Sequence, residues 1–142
     1  MPVRVLHQND ADAAAALLQA AGWRGWDAKT LRDSRDDRVV VAAGPVGAPF
    51  AVAIAQYVLD EGELLAVAVA PMHRRQGYGD RLVQAAIDFM KKREVRRLFL
   101  EVRQSNVAAQ RLYAQRGFEA TGHRRDFYGD EDAVIMTLAL LR

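Results

Sequence analysis

The chain has 142 residues, 51% of them apolar, no cysteine, and 20 basic against 18 acidic side chains. That length suits a single domain, residues 1–142, with a sizeable core, and the missing thiols exclude disulfides, thiolate metal sites and a cysteine nucleophile while fitting a reducing cytoplasm. The isoelectric point of 9.2 would suit a nucleic-acid partner if arginines clustered with exposed aromatics, but the densest run, Lys91-Lys92-Arg93-Glu94-Val95-Arg96-Arg97, closes a helix, where cations complement the dipole.

Met1-Pro2-Val3-Arg4 opens straight into a strand-like run, with no export-signal pattern, and no apolar stretch nears the ~18–20 residues of a membrane span. A soluble, unexported protein is expected. Asp10 is placed to cap a helix over Ala11–Ala21 that Gly22 ends, and Asp27 to cap a short helix near Ala28–Ser34. Val39–Ala43 and Phe50–Val58 read as strands joined across Gly44-Pro45-Val46-Gly47. Glu63–Val69 is a further strand stopped by Pro71. From Gly77 to Lys92 the period becomes helical, with Leu82, Val83, Ala86, Ile87 and Met90 on one stripe. Arg97–Val102 is a strand, Asn106–Arg116 a helix stopped by Gly117, and strands from Phe118 onward finish in Ala133–Leu141.

The middle of the chain is thus strand–helix–strand–helix, which favours a right-handed parallel crossover. Ligands of such arrangements bind where strand carboxyl ends meet helix amino ends. The residues at that edge are Val67–Asp80 and Glu101–Asn106. In Arg74-Arg75-Gln76-Gly77-Tyr78-Gly79-Asp80, two glycines permit close backbone approach, the first-turn amides lack intrahelical partners, and two arginines add charge. A pyrophosphate suits this loop. A dinucleotide fingerprint would need glycine at Leu82 and a P-loop would need Gly-Lys-Ser/Thr, and neither is present. A plain helix start with surface arginines is the competing reading.

Arg74-x-x-Gly77-x-Gly79 after Val67-Ala68-Val69-Ala70-Pro71 resembles the acetyl-CoA signature of the GNAT N-acetyltransferase superfamily. Leu100-Glu101-Val102-Arg103-Gln104-Ser105-Asn106-Val107-Ala108-Ala109, then Leu112-Tyr113 and Gly117-Phe118-Glu119, resembles its RimI-type branch, which acetylates the N-terminal alanine of a ribosomal protein. Arg124–Tyr128 and Glu131–Met136 extend the likeness, which covers residues 50–140. The resemblance implies an α/β GNAT fold: one mixed, twisted sheet with splayed central parallel strands and about four helices. It implies acetyl-CoA as co-substrate, no metal, and direct attack of the amine in a ternary complex where the central strands part. Val67, Ala68 and Val69 would offer main-chain groups to the pantetheine arm, one amide polarising the thioester carbonyl. Arg74, Arg75, Gln76, Gly77, Tyr78, Gly79 and Asp80 would wrap the pyrophosphate, and Asn106 would meet the cofactor at the next helix start. Glu101 would be the general base and Tyr113 the general acid that protonates the departing thiolate. A terminal α-amine, near pKa ~7.7–8.0, loses its proton far more readily than lysine at ~10.4.

The residue types alone leave alternatives open. Glu101 on a strand whose neighbours Leu100 and Val102 hold the core face can point to solvent, Tyr113 can be core, and Asn106 is a good N-cap whatever it binds. His7, His73 and His123 have no metal-ligand spacing and read as surface or loop residues. Trp23 and Trp26 read as packing or as lining the acceptor cleft. Two positions depart from the branch: Asp80 puts a carboxylate beside the expected phosphates, and Gly129-Asp130 leaves a short turn where the acceptor is framed. The rival functions are a same-fold acetyltransferase acting on lysine or a small-molecule amine, and a non-catalytic acyl-CoA-binding module.

Overall fold

A computed structural model describes residues 1–140. Among them seven strands run in the order β1-β2-β3-β4-β5-β7-β6, and the chain divides into two units, Met1–Gln56 with Leu64–Phe89, and Tyr57–Glu63 with the chain from Met90 onward.

The first unit begins with β1 (Val3–Val5), α1 (Ala11–Ala20) and α2 (Ala28–Arg32), followed by β2 (Arg38–Ala43) and β3 (Ala51–Val58). Both β1 and β3 pair antiparallel with β2, in register Arg4↔Ala42 and Ala42↔Val52. The β2–β3 turn requires glycine at its first position. Gly44 sits at φ +111°, and a Cβ there would stand 2.8 Å from the Phe50 ring. Ala11, Ala14 and Leu18 of α1 and Leu31 of α2 bury against Val52 and Ile54 of β3 and against Ala66 and Ala68 of the next strand, β4 (Glu61–Val69). Alanines on both sides of that contact bring the helix close to the sheet, while Trp23 and Trp26 pack at its margin. Packing is therefore the role the structure shows for both tryptophans. α3 (Tyr78–Lys92) completes the unit up to Phe89, and its stripe Leu82, Val83, Ala86 and Ile87 is buried as its spacing requires.

One local expectation is corrected here. Asp10 precedes α1, and Gly22 (φ +92°) follows its end, but the Asp10 side chain makes no capping bond. It is fully buried instead (0% exposed). Its two oxygens accept from Arg4 Nη1 and Nη2 at 2.6 and 3.0 Å, from the Gly47 amide at 2.7 Å and from the His7 amide at 2.7 Å. A buried carboxylate takes the strongest donors available, and β1 brings it a guanidinium. His7 has its own use in the 3-10 turn before α1, where Nδ1 accepts from the Asn9 amide. Asp27, by contrast, caps α2 as expected, accepting from the Thr30 amide at 2.8 Å.

In the second unit, β5 (Arg97–Arg103) and β7 (Ala133–Ala139) pair antiparallel over seven residues, and β6 (Glu119–Arg124) pairs with β7 through a bulge between Ala120 and Gly122. The last expected strand therefore ends at Ala139, and Leu141 lies outside the described residues. β4 starts at Glu61, two residues before its expected start. Its parallel register with β5 covers Glu61↔Arg97 to Glu63↔Phe99, while β4 itself runs on to Val69 and β5 to Arg103. Leu98, Leu100 and Val102 bury one face of β5, which by strand periodicity puts Phe99 and Glu101 on the other. α4 (Val107–Gln115) follows, capped by Asn106 and stopped before Gly117, whose φ is +97°.

Candidate active site

In the first unit the site is the passage from β4 into α3. Pro71 ends the strand and opens a 3-10 turn to His73, whose imidazole lies flat on the Phe50 ring, with centroids 3.8 Å apart and planes 5° apart. His73 thus belongs to a loop, as expected, but packs there through its ring. Arg74 folds back so that its Nε donates to the Val69 carbonyl at 3.1 Å. The Val67 carbonyl accepts from Trp23 Nε1 at 3.2 Å. Carbonyls two residues apart on a strand share an edge, so this edge of β4 is held by side chains from within the unit.

Arg75 and Gly77 both adopt left-handed conformations, φ +63° and +83°. A Cβ on Gly77 would meet nothing within 4 Å, so its glycine is required by backbone conformation rather than by space. These two residues turn the chain so that α3 starts abruptly at Tyr78, with the Arg81 amide donating to the Gly77 carbonyl at 3.1 Å. The amides before Arg81 in that first turn have no intrahelical acceptor, and the helix dipole adds partial positive charge there. Arg75 and Gln76 are exposed beside them. Tyr78 is different: its ring is buried edge-on to Phe50 and lies under the Arg81 guanidinium, 4.4 Å from the ring centroid. Only its backbone is left to meet a ligand. Asp80 occupies the first turn, where a carboxylate complements the helix terminus. Val67, Ala68, Val69 and Arg74–Asp80 thus form one continuous strand-to-helix passage, and its first-turn amides and exposed Arg75 fit a diphosphate.

In the second unit Glu101 is neither solvated nor conventionally paired. Its side chain is 9% exposed, and Oε2 lies 3.5 Å from Arg124 Nε in an ion pair that lacks hydrogen-bond geometry, so that oxygen is buried without a hydrogen-bond partner. The solvent-facing alternative is thereby excluded. Around it stand groups that the sequence did not mark as functional. Glu63 of β4 is half-buried. Burial, and next the Glu101 charge, hold its carboxyl above the usual range, with Arg124 pulling it back. Tyr128 is raised by burial and by Glu101, against the Arg103 guanidinium 4.3 Å from its ring centroid. Tyr113 is buried edge-on to Phe118, and burial first, then Tyr128, pushes its phenol up to about 12. Asn106 spends its side-chain oxygen on the α4 cap, accepting from the Ala109 amide at 3.1 Å, and is exposed where Tyr113 is buried.

The short turn at Gly129-Asp130 is tied down. Arg103 Nη1 donates to Asp130 at 2.9 Å and Glu131 at 3.1 Å, and the Glu131 carboxylate also accepts from the Ser105 hydroxyl and amide. Glu63 escaped notice in the sequence because it alternates with Gly62 and Leu64 like any outward strand residue. Only the parallel register, Glu63 opposite Phe99, makes it a diagonal neighbour of Glu101 on the same face.

Comparison with known proteins adds to this geometry. The acetyltransferase (GNAT) family profile matches residues 8–118. The chain is 40% identical over 140 residues to ribosomal protein bS18-alanine N-acetyltransferase of Escherichia coli K12, covering 95% of each chain. It is 38% identical over 145 residues to the enzyme of the same name from Salmonella typhimurium, covering 97% of each. The crystal structure of the ribosomal-protein-S18-alanine N-acetyltransferase from Escherichia coli superposes with a TM-score of 0.85, covering 99% of this chain and 94% of that one at 38% identity.

Proposed function

The chain belongs to the acetyltransferase (GNAT) family, and on that premise we propose that its acceptor is a protein N-terminal α-amine, the N-terminal alanine of ribosomal protein bS18. The chain is an N-acetyltransferase of the α/β GNAT fold, with acetyl-CoA as co-substrate. The observation that carries the acceptor assignment is the 40% identity over an alignment that covers 95% of both chains. We also read the two units as one catalytic domain, because the family match at residues 8–118 spans both. Among the described residues no helix is long and apolar enough to cross a membrane, and the proposed acceptor puts the enzyme in the cytoplasm.

Each chemical demand of the reaction has a candidate in the chain. The first-turn amides of α3, with Arg75 and the backbone of Gln76–Asp80, bind the pyrophosphate. Val67, Ala68 and Val69 serve the pantetheine arm through main-chain groups. The acceptor arrives as an ammonium and cannot attack until a proton leaves. Glu101 takes that proton, for which a dry carboxylate oxygen with an open acceptor position is suited. The free amine's lone pair then forms the bond to the acetyl carbon as the carbon–sulfur bond breaks, and the surplus N–H proton of the new amide nitrogen passes to the departing thiolate. Tyr113 donates to the departing sulfur. Its phenol, held near 12, stays protonated at any working pH, but full transfer to a thiolate of pKa ~8.5 is uphill. Its contribution is a hydrogen bond that strengthens as charge builds on sulfur.

The test uses two peptides and acetyl-CoA: one with a free N-terminal alanine and no lysine, the other blocked at its terminus and carrying lysine. Acetylation of the first and not the second is expected, together with loss of the bS18 N-terminal acetyl group from cells lacking the chain. Transfer to lysine alone would overturn the assignment.

A further inference from the structure

Glu101 has a difficulty that its own surroundings do not resolve. A carboxyl nine-tenths buried, 3.5 Å from the Arg124 guanidinium, receives one proton per turnover and must return it to water before the next. The buried oxygen has no hydrogen-bonded outlet of its own. A partly exposed carboxylate, Glu63, lies diagonal to it on the same face of the neighbouring parallel strand.

We propose that Glu63 is the proton outlet of this acetyltransferase, accepting from Glu101 the proton taken off the acceptor ammonium and handing it to solvent. The inference rests on the acetyltransferase reading and deepens it. The first transfer breaks an N–H bond, leaves the electron pair on nitrogen and forms Glu101 carboxylic acid. The second breaks that O–H bond and forms one on Glu63, restoring the Glu101 carboxylate. The third passes the proton to water or a buffer base. No oxidant, metal or further reactant enters.

The charged and titratable groups around the pair come from every element bearing on it. Glu101 lies on β5, Arg124 on β6 and Tyr128 on the β6–β7 connection, where Arg103 and Glu131 act on it in turn. Burial and the Glu101 charge outweigh Arg124 at Glu63, so Glu63 holds a proton more readily than a solvated glutamate does. Arg124 bears on both carboxylates, as an ion pair to Glu101 and as an opposing charge at Glu63. Partial exposure then lets Glu63 exchange with water, an exchange closed to the buried Oε2 of Glu101. Strand periodicity also favours relay over chance: Glu63 is the residue of β4 whose register sets it opposite Phe99, one same-face step from Glu101.

The decisive variant is Glu63→Gln, of equal size and unable to carry the proton. With the alanine peptide in a dilute buffer lacking carboxylic acids, kcat is expected to fall at least about 10-fold, up to the ~10²–10⁴ of a lost positioned acceptor, with KM for acetyl-CoA unchanged. Added formate should restore the rate in proportion to its concentration in Glu63→Gln and leave the parent enzyme unaffected, a rescue that a merely structural role does not produce. A parent-like kcat in Glu63→Gln, or a loss that formate leaves untouched, overturns the relay. A second measurement needs no turnover: carbon-13 titration of the Glu63 carboxyl should show its midpoint dropping when Glu101→Gln removes the neighbouring charge. A midpoint that does not move overturns the coupling. A parent enzyme that acetylates no amine while this coupling is present overturns the functional reading, and the relay's role with it.

Discussion

Replacing Asp10 with asparagine keeps the size of the side chain but removes its charge, at a site where four donors converge on two oxygens. Burial alone would raise this carboxyl. The Arg4 hydrogen bonds, then those from the Gly47 and His7 amides and the Arg4 charge, outweigh burial and bring it from 3.8 down to about 2. At ~1.36 kcal/mol per pH unit that drop is worth roughly 2 kcal/mol of folding stability. Because the folded-state value is the lower one, the contribution is complete above about pH 4 and disappears as pH falls through about 2. In Asp10→Asn an amide NH2 would also face the donors, and Arg4, three-quarters buried, would lose its counter-charge, so the expected loss at pH 7 is about 2–4 kcal/mol. Urea unfolding followed by circular dichroism between pH 2 and 7 measures it. The parent and Asp10→Asn stabilities should converge between pH 4 and 2 as the parent loses its ion pair. A gap below about 0.5 kcal/mol at pH 7, or one that stays constant through the acid range, would refute the reasoning that this carboxylate locks β1 and the β2–β3 turn to the entry of α1.

The remaining expectations concern the site. Gly77→Ala keeps open space but forces an L-residue to φ +83°, so a cost of about 1–2 kcal/mol should appear as weaker coenzyme A binding by calorimetry; unchanged affinity would mean this turn is not needed for the cofactor. Glu101→Gln should lower kcat/KM by about 10²–10⁴ while coenzyme A affinity holds, and parent-like turnover would support the non-catalytic rival. Tyr113→Phe keeps the ring against Phe118, so its thermal midpoint should match the parent's while kcat drops about 10²-fold for one lost donor to the leaving sulfur; a stability loss with kcat intact would make Tyr113 a core residue only. Arg103→Ala frees Asp130 and Glu131 and should raise KM for the peptide with KM for acetyl-CoA unchanged; equal rises in both would detach this turn from acceptor binding.

Features governed by neighbours within one or two turns were readable before any fold was known. The buried stripe of α3, the Asp27 and Asn106 caps, and the stops at Gly22 and Gly117 all follow from spacings of three or four residues and from glycine's left-handed freedom. Asp10 defeated the same local logic. An aspartate before an alanine-rich helix should cap it, but the pairing Arg4↔Ala42 brings a guanidinium within reach, and a charged donor outcompetes a helix amide. His73 has no metal-ligand spacing in the sequence, and its ring stacks on Phe50, 23 positions away.

The sequence by itself determined the elements, the strand-to-helix passage with its glycines and arginine, and the motif order that marks Glu101 and Tyr113, because each depends on residues adjacent along the chain. The tertiary structure alone decided which charges share a face and which lose their water. It buried one oxygen of Glu101 away from both solvent and hydrogen-bond partners, set Glu63 diagonal to it, and pushed the Tyr113 phenol to about 12. Proton affinity is set by surroundings assembled from distant segments, and strand register, which no local pattern encodes, is what assembles them.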